Sequence, residues 1–176
     1  MSQILLVWSA LLTVLTALNL MLCLAIVRRL KTQSQHEHDQ LPDLLAPGNS
    51  VGEFEISTLD GDLITAGTLD GRLLVAFVMP GCEPCADAVA QLRERGPGEK
   101  TLFVVMGHDE DGETLAYAGG LRDLGEVAVA PSGSPVMHAF GGVTGYPSLF
   151  LLENRTVLVS DRRVSALGAA PQPAPA

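Results

Sequence analysis

The sequence predicts an α/β fold, a mixed central sheet flanked by helices, carried behind a single N-terminal transmembrane helix. Three observations predict it. Residues 4–27 form an apolar run without one charge. Two wholly apolar segments, 73–79 and 101–106, enclose a helical pattern, and strand–helix–strand in that order implies parallel pairing. Two further strand-like runs, 148–152 and 156–160, meet across Glu153-Asn154-Arg155 as an antiparallel hairpin. At 176 residues there is room for one ordinary domain plus extensions.

The N-terminal run is broken only by Ser9, Thr13, Thr16 and Asn19. As a helix it would be about 36 Å long, enough for a hydrocarbon core of about 30 Å. Its n-region, Met1-Ser2-Gln3, has no basic side chain, and no small-x-small site precedes Arg28-Arg29-Leu30-Lys31. An uncleaved anchor over 4–27 is therefore expected rather than a signal peptide. Cys23 lies within it and reads as a small apolar membrane residue. The cluster Arg28, Arg29 and Lys31 favours a cytoplasmic carboxyl side by the positive-inside rule.

Residues 28–50 are polar, rich in Gln, Asp and Pro, and read as a tether. His36 and His38 fall in it without further ligands at metal-binding spacing. The folded domain is expected over 51–167. Phe54 to Ser57 alternates, Asp60-Gly61 signals a turn, and Leu63-Ile64-Thr65 returns as the second strand. Leu73 to Met79 suits a strand covered on both faces. Cys82 to Arg95 reads as a helix with Cys85, Val89 and Leu92 on one face, ended by Gly96-Pro97-Gly98. Thr101 to Met106 follows as the next buried strand. An acidic loop from His108 to Glu113 opens a helix running to about Leu124, weakened by Gly119-Gly120. Val127 to Ala130 is a short strand, and Ser134 to Phe140 a short helix. Residues 168–176 are almost entirely Ala, Pro and Gln and are expected to be disordered.

Charge narrows the function classes. Residues 32–176 hold 8 Lys+Arg against 20 Asp+Glu, a formal charge of −12. Such a domain is unsuited to a phosphate backbone, so no nucleic-acid partner is expected. Three cysteines do not make a multi-bridge scaffold, but Cys82-Glu83-Pro84-Cys85 follows a strand and opens a helix. Cys82 would face the free N–H groups and positive dipole end of that helix, which favour its thiolate, the attacking species. Cys85, one turn further in, would be less exposed and could resolve a mixed disulfide. Pro84 fits the first helical turn, where its missing N–H costs nothing. Glu83 opposes the thiolate as a nearby like charge. The same four residues could be half of a zinc site, but zinc needs two more ligands, Cys23 lies in the expected span, and His108 and His138 are single residues without paired spacing. Redox chemistry without a metal is the reading the context favours.

A second signal centres on Pro147, 62 positions after Cys85: Gly145-Tyr146-Pro147 leading into Ser148-Leu149-Phe150-Leu151-Leu152. A proline at that place belongs at a strand's first residue or on an edge. Strand, CxxC and helix, then a βα insertion, then Gly-x-Pro and a hairpin together resemble the thioredoxin superfamily. Over residues 50–163 the sequence is similar to its membrane-anchored TlpA/ResA-like branch. The Thr58-Leu59-Asp60-Gly61 hairpin, the CEPC motif, and the anchor with its basic junction carry that likeness; the anchor and tether also resemble MauD-like proteins.

The resemblance implies a membrane-tethered thiol–disulfide oxidoreductase without a cofactor. It would exchange disulfides with client proteins through Cys82 and Cys85, in the reducing direction, for maturation of cytochrome c or another extracytoplasmic redox protein. It implies that Pro147 is cis and faces the cysteines, and that Tyr146 and Gly145 hold an incoming substrate strand. Its partners would be protein thiols and disulfides, a membrane electron donor or acceptor, and the lipid bilayer through 4–27. It places the domain outside the cytoplasmic membrane, against the basic cluster. Departures from the family are Gly81 where Trp is usual, and Ala76 and Ala88 where relatives carry acids, Asp87 being one position off. A Cu(I) metallochaperone using the CxxC is an alternative, since soft thiolates suit Cu(I). A peroxiredoxin-like antioxidant enzyme is another, although Val75 stands where it would need Pro and Met79 where it would need Thr or Ser.

Overall fold

The computed structural model describes residues 44–96 and 98–169, together with Gln3, Val7, Trp8, 11–13 and 15–21. The chain divides into two units, Met1–Leu41 and Pro42–Ala176. In the first, every described residue is helical and exposed. The Thr16 hydroxyl donates to the Leu12 carbonyl one turn back (2.7 Å), so it needs no outside partner. The expected span 4–27 and tether 28–50 lie partly outside the described residues. Among those described, no helix is long and apolar enough to cross a membrane.

The second unit opens with the hairpin β1 (Glu55–Ser57) and β2 (Leu63–Thr65), paired antiparallel with Ile56 opposite Ile64. β3 (Arg72–Val78), α1 (Glu83–Arg95) and β4 (Lys100–Met106) form the βαβ unit. α2 (Gly112–Gly119), β5 (Glu126–Ala130), α3 (Pro135–Ala139), β6 (Ser148–Glu153) and β7 (Thr156–Asp161) follow. A 3₁₀ turn over Val164–Ala169 closes the unit. The five-stranded sheet has the order β5-β4-β3-β6-β7. β4 is parallel to β3 and β5, while β6 is antiparallel to β3 and β7.

Both faces of the sheet are covered, which is why β3 and β4 read as continuous apolar runs rather than alternating ones. On one face Val75, Phe77, Leu102, Val104, Phe150 and Leu152 pack with Phe54, Ile56 and Phe140. On the other, Leu74, Ala76, Val78, Phe103, Val105, Leu149 and Leu151 pack with Cys85, Ala88 and Val89 of α1 and with Leu167. α1 thus buries Cys85, Ala88 and Val89, with Leu92 only half-buried at its far end.

Three boundaries differ from expectation for identifiable reasons. The fold already includes residues 44–50, ahead of the expected start at Val51: Leu44 and Leu45 pack against the core. Gly48 N–H donates to the Val157 carbonyl (2.8 Å), Val157 N–H to Asn49 (2.9 Å), and Val51 N–H to Arg155 (2.9 Å). This stretch therefore covers part of the outer edge of β7, an edge otherwise open to pairing with another chain. α2 stops at Gly119 instead of near Leu124, because Gly120 caps it and two tight turns follow. The 3₁₀ turn carries order to Ala169, two residues past the expected end, and residues 170–176 of the expected tail lie outside the described residues.

Gly125, just ahead of β5, is required by close approach. A Cβ there would strike the Thr101 carbonyl oxygen, a backbone atom that cannot step aside. Gly125→Ala should lower unfolding free energy by about 1–3 kcal/mol, the usual range for overpacking. Denaturant unfolding of the two proteins measures it, and an unchanged midpoint would contradict the contact.

Candidate functional site

The site grows from the end of β3. After Val78 the chain leaves the core through Met79, which is 39% exposed, and turns at Pro80-Gly81. Gly81 has φ +70°, the left-handed region that suits glycine, and nothing stands within 4 Å of where its Cβ would be. The backbone, not crowding, favours glycine at this position. That turn delivers Cys82 as the N-cap of α1, so the helix proper starts at Glu83, one residue later than expected.

Cys82 satisfies the helix end itself. Its sulfur accepts the Cys85 N–H at 3.2 Å, and its carbonyl accepts from Cys85 and Ala86, both at 3.1 Å. Pro84 occupies the first turn, where no intrahelical N–H is needed. Glu83 is also in the first turn, and both side chains are exposed. Arg93 and Arg95 stand in the last turn, complementing the negative end of the dipole.

Cys82 and Cys85 are joined in a disulfide, with Cα atoms 5.2 Å apart. Cys85 is fully buried among the apolar side chains beneath α1, whereas Cys82 is half-buried. An incoming thiol can therefore reach one sulfur and not the other. Ala76 and Ala88 are 0% and 4% exposed in the same cluster, so neither position supplies a carboxylate near Cys85. Asp87 is exposed.

The antiparallel pairing of β3 with β6 brings the second motif here. Phe77, next to the end of β3, lies opposite Ser148, the first residue of β6. The connection entering β6 thus arrives beside the turn that leaves β3. The Tyr146–Pro147 peptide is cis, and the Tyr146 carbonyl oxygen is 3.9 Å from the Cys82 sulfur. Gly145 and Pro147 are buried. The Tyr146 ring is half-buried, packs against both core layers, and has its phenol pushed above the usual value by that burial. Ser148, for which the sequence raises no expectation beyond strand, is wholly buried and donates its hydroxyl to the Gly145 carbonyl at 2.6 Å. Its signal was a lone hydroxyl opening an otherwise apolar strand. Among the described residues no group of His, Cys, Asp and Glu is placed to hold a metal ion.

A mixed five-stranded sheet in this order, with a CxxC disulfide at the start of the helix after its central strand and a cis-proline beside it, is the thioredoxin fold. The chain is similar to the thioredoxin domain of a thiol-disulfide oxidoreductase from Bacteroides vulgatus: 16% identity, TM-score 0.58, covering 70% of this chain and 93% of that one. A thio-disulfide isomerase from Thermus thermophilus matches with 16% identity and TM-score 0.57, over the same shares of 70% and 93%. A secreted Mycobacterium tuberculosis disulfide oxidoreductase homologous to E. coli DsbE matches with 15% identity and TM-score 0.50, over 64% and 85%. No family model and no curated protein matches the sequence.

Proposed function

We propose that this protein is a membrane-tethered thiol–disulfide oxidoreductase acting on protein clients, with Cys82 as the attacking sulfur and Cys85 as the resolving one. The observation that carries the reading is the Cys82–Cys85 disulfide at the start of α1, open to solution only at Cys82 and flanked by the Tyr146 carbonyl. The thiol–disulfide oxidoreductases that share the fold support it.

In the reduced protein, the Cys82 thiolate attacks a client disulfide, forming a mixed disulfide and expelling one client thiolate. The Cys85 thiolate then attacks the Cys82 sulfur, closing the Cys82–Cys85 bond and releasing the second client thiolate. Two electrons pass from this protein to the client, and the expelled thiolates take protons from solvent. A dithiol donor in or at the membrane restores the reduced form by the reverse exchange. Backbone groups of Tyr146, on the loop with Gly145 and Pro147, hold the client strand beside Cys82 by main-chain pairing.

We assign the reducing direction because the helix N-terminus favours the Cys82 thiolate while Glu83, in the same turn, works against it. A modestly stabilised thiolate gives a potential toward thioredoxin's roughly −270 mV rather than DsbA's roughly −120 mV. Anchorage through 4–27 rests on the length of the charge-free run. An extracytoplasmic domain follows from where disulfides persist, and maturation of cytochrome c or another redox protein there is the client class we favour.

The test is reduction of insulin disulfides by the full-length protein in detergent, with dithiothreitol as donor, alongside equilibration in glutathione buffers. Turnover that needs both cysteines and a potential near thioredoxin's are expected. Tight stoichiometric Cu(I) binding without exchange would move the assignment to a copper carrier, and a potential near DsbA's would reverse the direction. For topology, alkaline phosphatase fused after residue 43 should be active; an inactive fusion would place the domain in the cytoplasm.

A further inference from the structure

We propose that Ser148 is a positioning residue for client binding, which rests on the exchange reading above. Its hydroxyl clamps the Gly145-Tyr146-Pro147 loop to the head of β6. It donates to the Gly145 carbonyl at 2.6 Å, spanning the two residues between them. Ser148 is itself held rigidly: it is 0% exposed, and its backbone is registered against Phe77 of β3. The loop is thereby referenced to the same strand that delivers Cys82. The Tyr146 carbonyl, inside the clamp, stands 3.9 Å from the Cys82 sulfur.

Two consequences follow from burial. Without the hydroxyl, the Gly145 carbonyl loses a partner in a site where Gly145, Pro147 and Ser148 are all buried, so the loop must move to find another. The movement falls on the segment that pairs with a client strand, while Cys82, the N-cap of α1, still accepts from the Cys85 and Ala86 N–H groups. Ser148 therefore acts on recognition of an extended client and not on the sulfur chemistry itself. A small thiol, which takes no strand pairing, should not sense it.

The experiment compares full-length wild type, Ser148→Ala, Ser148→Cys and Ser148→Thr, using oxidised insulin as client and dithiothreitol as small thiol. Cysteine keeps the volume of serine but donates weakly; threonine keeps the hydroxyl. We expect Ser148→Ala and Ser148→Cys to raise KM for insulin roughly two- to twelvefold, the span of one net hydrogen bond. Their kcat, glutathione potential and rate of reduction by dithiothreitol should match wild type, and Ser148→Thr should restore KM. A Ser148→Cys protein with wild-type KM would overturn the proposal in favour of packing. Equal losses toward insulin and dithiothreitol in Ser148→Ala would also overturn it, as a general disturbance of the site. If wild type itself fails to reduce insulin, the exchange reading falls instead.

Discussion

Cys85→Ser should leave the full-length protein covalently joined to its clients, whereas Cys82→Ser should leave it joined to none. The asymmetry comes from burial. Cys82 is half-buried at the very start of α1, while Cys85 is 0% exposed one turn further in, packed among Ala76, Ala88, Val89 and Leu149. A client disulfide can meet only the first sulfur. In the proposed exchange the second sulfur is the internal nucleophile that breaks the mixed disulfide, and serine there removes that exit. Catalytic insulin reduction should fall to background in both variants, so turnover cannot tell them apart; trapped adducts can. They are read as high-mass bands on non-reducing gels that dissolve on reduction. Adducts on Cys82→Ser alone would exchange the two roles.

Most of the fold could be read from residues because its signals are local. Leu73 to Met79 lacks polar residues since Val75 and Phe77 face one layer while Leu74, Ala76 and Val78 face the other. The hairpin of β6 and β7 is announced by Glu153-Asn154-Arg155, and both Asn154 (φ 47°) and Arg155 (φ 70°) take the left-handed region at that turn. The CxxC motif declares its own helix end. What could not be read depends on partners far away in sequence. Residues 44–50 look like a tether, with Pro47, Gly48 and Asn49 in a row, yet they belong to the fold because β7, about a hundred residues later, leaves an edge to cover. The role of Ser148 is illegible in the sequence for a related reason. Its partner is only three residues back, but nothing in the letters says that the intervening loop lies against Cys82; that comes from the register of β6 on β3. Glycine at position 81 is likewise explained only by its backbone angle, φ +70°, which no single letter declares.

Phe140→Ala should be the most damaging single core substitution, costing about 3–5 kcal/mol, the range for truncating a buried aromatic. Phe140 is 0% exposed and is the hub of an aromatic cluster. Its ring centroid is 5.1 Å from Phe77, 5.0 Å from Phe150 and 5.9 Å from Phe54. Those three come from β3, β6 and the segment entering β1, so one ring ties the two central strands to the N-terminal hairpin. The surrounding strands are fixed by their ladders and cannot collapse into the space, which places the cost toward the upper part of the range. Small domains hold only about 5–15 kcal/mol in total, so much of the stability should go with it. The damage should also reach the site. Phe140 caps α3, and the chain runs from there through Gly141 and Gly142 into Tyr146 and Pro147 with no other regular element between. Denaturant unfolding should show a markedly lower midpoint with an unchanged slope. Insulin reduction by the folded fraction should show a raised KM, as for a loosened Gly145–Pro147 loop. Phe140→Leu, which refills most of the volume, should recover the larger part of both losses. A Phe140→Ala protein within 1 kcal/mol of wild type would mean that the four rings do not form one packed unit.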